Sequence, residues 1–228
     1  MEEAVETSNC RIARPAPERA ARSRANEMKF LSVLLVLFQF SSPISLSPLS
    51  GLYEAEDPTT DEYAVYSALI QTMYVKKGIR TIVIAERTQF SKVNWERRED
   101  YLKSILEELR PVSQETIEDF EKMNQQEVEL ASRLNLTVNY ELLDPRRQPS
   151  GVKTPDESVK YWAQFFERYP DSPGIISLSR VGFSSGKDQA VVYVSNLCGD
   201  LCGKGYYVLL INSDKGWKVQ KEMMLWVS

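Results

Sequence analysis

The chain has 228 residues, 43% hydrophobic and 26% charged, with a net charge of −4. That is ordinary globular composition with no basic stripe to hold nucleic acid. It contains no histidine, which excludes Ser-His and Cys-His catalysis and histidine-ligated metal within this chain.

Residues 1–27 are rich in Ala, Arg and Glu without apolar periodicity and read as an upstream extension outside the native product. Met28-Lys29-Phe30 then offers a start. It is followed by Leu31–Phe40 (LSVLLVLFQF) and the Ser/Pro-rich stretch Ser41–Ser50. Basic, apolar and small-residue regions in that order are those of a secretory signal peptide over residues 28–50. The apolar run is too short to cross a bilayer, which takes ~20 residues, so no membrane span is expected in the mature chain.

Residues 51–228 read as one α+β domain. A helix is predicted over Thr60–Val75, capped by Thr60 or Asp61, with Tyr63, Tyr66, Leu69, Ile70 and Met73 at helical spacing. The β-branched run Ile79–Ala85 predicts a strand. Asn94–Leu109 predicts a helix burying Trp95, Leu102, Ile105, Leu106 and Leu109 before Pro111. A third helix is predicted from Ser113 to about Leu134, with Ile117, Phe120, Met123, Leu130, Ala131 and Leu134 inward. Its carboxylates Glu115, Glu118, Asp119 and Glu121 would then form a solvated face. Thr137–Leu143 reads as a short strand and Asp144–Gly151 as a loop.

The fourth helix has the strongest start signal. Thr154 can cap it, Pro155 fits the first helical position and Glu157 completes a capping box. Its predicted inner face is Val159, Trp162, Phe165, Phe166 and Tyr169. From Gly174 the period becomes that of strands: Ile175–Phe183, Gln189–Leu197, Gly205–Asn212 and Trp217–Trp226. Their short links require antiparallel neighbours. The expected fold is a helical N-terminal half packed with a C-terminal four-stranded antiparallel meander.

Several motifs carry candidate chemistry. Gly182-Phe-Ser184-Ser-Gly186 matches the G-x-S-x-G nucleophile elbow, but that elbow needs a helix after it and a histidine base, so a hairpin turn is the better reading. Ser184 and Lys187 match S-x-x-K, the spacing of a serine–lysine pair, without its companion elements. The segment Cys198-Gly-Asp-Leu-Cys202-Gly-Lys-Gly205 has too few thiols for a structural zinc site and lacks a P-loop's Ser/Thr. In an exported chain Cys198 and Cys202 read as a disulfide, with a thiol-exchange site as the alternative. Gly199, Gly203, Lys204 and Gly205 make a candidate binding loop, the glycines supplying unusual dihedrals. The aromatics Trp162, Phe165, Phe166, Tyr169, Tyr193, Tyr206, Tyr207, Trp217 and Trp226 read as core first and as a ligand groove second. Strict alternation puts Arg180 on one strand face with Ile176 and Leu178, so a structural ion pair is expected, with an acid such as Glu167 or Asp171.

Three stretches carry a resemblance. They are Tyr63–Leu69 with Thr81–Thr88; Trp162–Gly174; and Leu178–Phe183 running on through Ala190–Val194, the Cys198–Gly205 loop, Tyr207–Leu210 and Gly216–Val219. Together they resemble a group of uncharacterised exported bacterial proteins with a CGxxCGxG hairpin loop. The resemblance implies export and a shared fold, and no activity or site residues. A helix over a four-stranded meander is also similar to the cystatin/NTF2-like arrangement, as fold analogy alone.

These readings favour a non-catalytic exported binding or structural module, periplasmic or extracellular, with no cofactor motif and with a ligand or protein partner of unknown identity. The alternative is a hydrolase or thiol-exchange enzyme using Ser184/Lys187 or Cys198/Cys202. Intact mass of the precursor is expected to begin at Met28; residues 1–27 found on it would overturn the upstream-extension reading.

Overall fold

The computed structural model describes residues 56–89, 98–149 and 154–228. The signal-peptide region, Cys10 and Trp95 lie outside them. In chain order the elements are α1 (Thr60–Met73), β1 (Thr81–Ala85), α2 (Arg98–Glu108), α3 (Gln114–Met123), β2 (Asn139–Leu143), α4 (Pro155–Arg168), β3 (Ile175–Leu178), β4 (Gly182–Phe183), β5 (Gln189–Gly199), β6 (Cys202–Ser213) and β7 (Gly216–Val227).

The expected four-stranded meander is corrected. The strands form one seven-stranded mixed sheet in the order β2-β1-β3-β5-β6-β7, with β4 pairing β5. β1 runs parallel to both β2 and β3, whereas β3, β5, β6 and β7 are antiparallel in turn. The N-terminal part is therefore not a helical half, because it contributes two strands to the sheet. Short links force antiparallel neighbours only after Gly174. Before it, α2 and α3 join β1 to β2 and α4 joins β2 to β3, and links of that length allow parallel crossovers. β1 (TIVIA) is buried at four of its five positions, as a strand covered on both faces should be.

The two faces of the sheet have different covers. On one, α1 packs Tyr66, Leu69 and Ile70 against Ile82, Ile84, Ile176, Leu178, Val192 and Val208. On the other lie two separate apolar clusters. α4 brings Trp162, Phe165 and Tyr169 onto Val83, Ala85, Leu143 and Ile175. α2 and α3 bring Ile105, Leu109, Ile117 and Phe120 onto Val191, Tyr193, Tyr207 and Leu209. Val159, predicted inward, is 66% exposed, because α4 meets the sheet only along its aromatic side.

α3 stops at Met123, about eleven residues earlier than predicted. Asn124 ends it, its side-chain amide donating to the Phe120 carbonyl at 2.8 Å and to the Arg180 carbonyl at 3.0 Å. The chain beyond is extended: Thr88 N–H donates to the Val128 carbonyl and Leu130 N–H to the Glu86 carbonyl. Val128 and Leu130 are buried two apart, at strand spacing, while Ala131 is exposed. Two carboxylates of the solvated face, Glu115 and Asp119, also accept from the backbone N–H groups of Ser185 and Phe183, tying α3 to β4 and the turn after it.

The predicted strand Ile175–Phe183 breaks at Ser179–Val181, and Arg180 is the reason. Its guanidinium is buried and donates from Nε to Glu62 Oε1 at 2.7 Å, from Nη2 to Glu62 Oε2 at 3.0 Å and from Nη1 to the Glu56 carbonyl at 2.7 Å. The partner is Glu62 of α1, not Glu167 or Asp171; Asp171 instead pairs with Arg80. The Glu62 and Arg180 side chains are 1% and 3% exposed. Glu62 also completes the α1 capping box with Thr59 and accepts from Val181 N–H at 3.3 Å.

At the other end of the sheet β7 is an edge strand. Its register on β6 slips twice, at Gln220 and at Leu225, and Lys218 and Lys221 stand along it.

Removing one member of a buried pair leaves the other charge unpaired, at a cost of about 3–5 kcal/mol. Arg180→Met is expected to lower stability by that amount in urea unfolding. The double variant Glu62→Leu with Arg180→Met should recover most of the loss. An unchanged midpoint in the single variant would show that the pair contributes nothing.

Candidate functional site

Ser184 and Lys187 do not meet as a nucleophile and base. Ser184 Oγ donates to Asp188 Oδ1 at 2.5 Å and accepts from the backbone N–H groups of Asp188 and Gln189 at 3.2 and 3.0 Å. The hydroxyl is thus consumed in shaping the β4–β5 turn. The Lys187 ammonium pairs with Asp61 at the start of α1. The left-handed residue of the turn is Lys187 (φ 51°), not Gly186.

Cys198 and Cys202 are disulfide-bonded across the β5–β6 hairpin, with Cα atoms 5.0 Å apart and Gly199 facing Cys202. The glycines around them do not have the unusual dihedrals expected: among described residues the positive-φ glycines are Gly78, Gly174 and Gly216. Gly203 and Gly205 are needed for space. A Cβ on either would fall less than 3.0 Å from Trp226 ring atoms. Trp226 lies over them and donates from Nε1 to Tyr193 OH at 2.9 Å. Lys204 places its ammonium 5.9 Å from the Tyr206 ring centroid. Of the four residues of the candidate binding loop, Gly199 borders a cavity.

That cavity is a cleft of about 620 Å³ beside the N-terminal half of α4. Sequence and fold together explain why it is there. On the sheet face that carries two separate helical clusters, the cross-strand partners Ser177 and Ser195 belong to neither. A small polar pair fills less space than the Val and Tyr residues around it, so the face is left open. Ser177, Ile175 and Leu197 line the floor. Trp162 lines the α4 wall, stacked on Phe166 with centroids 5.9 Å apart. The hairpin tip forms the rim, where Asp200 accepts a hydrogen bond from Ser158 of α4.

Two polar groups in the cleft are held ready. The Gln89 carbonyl oxygen accepts from Ser195 Oγ at 3.2 Å, leaving its amide N–H₂ without a partner among the described residues. Ser177 is 2% exposed and lines the cleft floor. Ser177 gave no clear signal in the sequence, since its neighbours two residues away are Ile175 and Ser179. Gln89 and Asp200 carried none.

α4 is anchored at its far end. Glu141 Oε1 of β2 accepts from Tyr169 OH at 2.6 Å and from Arg147 and Arg168, each at 3.2 Å. Partial burial works to raise the Glu141 pKa, but the Tyr169 hydrogen bond and the two guanidinium charges outweigh it and hold the carboxyl below its usual range. Nearby Asp144, hydrogen-bonded by Arg146, is lowered to about 2. The remaining aromatics are core: Tyr193 and Tyr207 pack under α2 and α3, and Tyr206 and Trp217 against the α1 cluster. No group of three or more Cys, Asp or Glu that could hold a metal ion occurs among the described residues.

Comparison with protein families, with curated proteins and with solved structures finds no match to this chain.

Two measurements follow from this geometry. Replacing both Cys198 and Cys202 by Ser is expected to cost about 2 kcal/mol, the chain-entropy value for so short a loop; an unchanged unfolding midpoint would count against a structural bond. Tyr169→Phe removes a hydrogen bond that favours the charged form, so the Glu141 pKa should rise in a carboxyl NMR titration. A fall or no change would show that Tyr169 does not tune it.

Proposed function

We propose that this chain is an exported, non-catalytic binding module that takes a small molecule into the cleft between α4 and the β5–β6 hairpin. The observation that carries the reading is the cleft itself, of ligand size, with apolar Trp162, Ile175 and Leu197 beside polar Gln89 and Ser177. The lining supports binding rather than turnover. Among the described residues its one ionisable side chain is the exposed Asp200 at the rim, and the Ser184 and Lys187 side chains are engaged elsewhere. Export draws support from the signal-like order of residues 28–50 and from the disulfide, which persists in oxidising compartments. Among the described residues, no helix is long and apolar enough to cross a membrane.

Protein-observed NMR with a library of small neutral fragments tests the reading. Shifts are expected to concentrate at Gln89, Ser177, Leu197 and Gly199. Ser177→Leu, which fills the floor, should abolish them while the spectrum stays dispersed. Hits confined to other surfaces would overturn it.

A further inference from the structure

We propose that a second, smaller cavity, between β2 and the C-terminal half of α4, is a site for an oxyanion, a phosphate or carboxylate group. It is separate from the cleft above. The cavity holds about 220 Å³ and is lined by Arg147 and Arg168, the rings of Tyr161, Phe165 and Tyr169, and the Gln164 amide. Two guanidinium groups therefore border one small space, and each is held in place. Arg147 donates from Nη1 to Glu141 Oε1 and from Nη2 to Tyr169 OH, both at 3.2 Å, while its backbone carbonyl accepts from Tyr161 OH at 2.8 Å. Arg168 donates from Nη2 to Glu141 Oε1 at 3.2 Å and lies over the Tyr169 ring, 5.2 Å from its centroid.

The donors here exceed the acceptor that meets them. Both guanidinium groups and the Tyr169 hydroxyl converge on one oxygen, Glu141 Oε1. The phenol takes the short contact, at 2.6 Å. The guanidinium contacts, at 3.2 Å, are longer than the ~2.7–2.9 Å of a charge-assisted hydrogen bond. Nε and Nη1 of Arg168 make no hydrogen bond among the described residues. Neither nearby carboxylate supplies them: Asp144 is taken by Arg146, and Glu167 does not line the cavity. A guanidinium presents its N–H groups in a planar fork that matches a phosphate or carboxylate. An oxyanion seated between Arg147 and Arg168 would thus meet donors already oriented by Glu141 and the tyrosines. The two arginine side chains are 42% and 56% exposed, so the site is open to solvent. The rings of Tyr161, Phe165 and Tyr169 offer apolar contact to whatever organic group carries the anion.

The probes are inorganic phosphate, phenyl phosphate and benzoate, titrated against the full chain by NMR with chloride holding the ionic strength constant. Saturable shifts are expected at the Arg147 and Arg168 Nε–H signals and at the rings of Tyr161 and Tyr169, with the cleft residues Gln89 and Ser177 unmoved. Arg168→Gln should weaken binding by about tenfold, the loss of a charge-assisted hydrogen bond. Arg168→Lys, which keeps the charge and loses the fork, should restore only part of it. Glu141→Gln, which removes the negative charge and leaves an oxygen for Tyr169, should tighten binding. Tighter binding of phenyl phosphate or benzoate than of inorganic phosphate would assign the site to an anion carried on an organic group, and equal binding to the free ion; both support the site. Shifts that do not saturate, or that chloride alone reproduces, would overturn it. So would an Arg168→Lys variant that binds as tightly as the unsubstituted chain, because net charge would then suffice without the fork. Unchanged or weaker binding in Glu141→Gln would also overturn it, because an anion beside that carboxylate must gain from its neutralisation.

Discussion

One buried ion pair holds three parts of the molecule in register. Glu62 stands at the third residue of α1, where its carboxylate closes the capping box with Thr59, takes a bidentate grip from Arg180 and accepts the Val181 N–H. Asn124, at the end of α3, clasps the Arg180 backbone through both its N–H and its carbonyl. The start of α1, the end of α3 and the break between β3 and β4 therefore meet at one guanidinium. Burying two charges repays its desolvation cost only where the geometry is good and the remaining donors and acceptors are satisfied. Here the third guanidinium nitrogen reaches the Glu56 carbonyl, so no arm is left idle. The neighbouring Tyr66 phenol donates to the Ser179 carbonyl, and burial first, then the Glu62 charge, push its pKa upward. The phenol stays a neutral donor and adds no second negative charge.

That clasp also shapes the cleft. Because Arg180 turns toward α1, β3 ends at Leu178 and Ser177 is its last residue on the opposite face. There the covering passes from α4 to α2 and α3, and the space between the two clusters is lined by small polar side chains. The walls are fixed at both ends, by the Glu141 network at the C-terminal end of α4 and by the disulfide-closed hairpin at its N-terminal end. Binding in a cleft with fixed walls spends little free energy on ordering them.

What could be read from the sequence was local. The α4 start was legible because Thr154, Pro155 and Glu157 signal it within four residues. The need for Arg180 to find an acid was legible from its apolar neighbours on the strand. Its partner was not, because Glu62 is 118 residues away and nothing nearby in the chain announces it. The parallel half of the sheet was missed because pairing partners of β1 and β2 lie far apart in sequence, although the unbroken apolar run TIVIA already pointed to burial on two faces. The overlong α3 shows the reverse error. Leu130 and Leu134 fit a helical period, yet Asn124 competes for the helix's own carbonyls and ends it. The glycines of the Cys198–Gly205 loop were recognised as special for the wrong reason, since the Trp226 ring that needs their space lies on another strand. β7, the long free edge, is protected by its two bulges and its lysines, devices that blunt pairing with other chains.

The 118-residue gap between Glu62 and Arg180 has a consequence in time. A chain is made from its N-terminus, so α1 leaves the ribosome long before the arginine that neutralises its inward carboxylate. Until then Glu62 can be buried only as an uncompensated charge, and water is the better solvent for it. The strands after Gly174 pair with near neighbours and can close among themselves quickly, whereas β1 and β2 must wait to be joined to them. The site around Glu62 can therefore close only once the last third of the chain has been made.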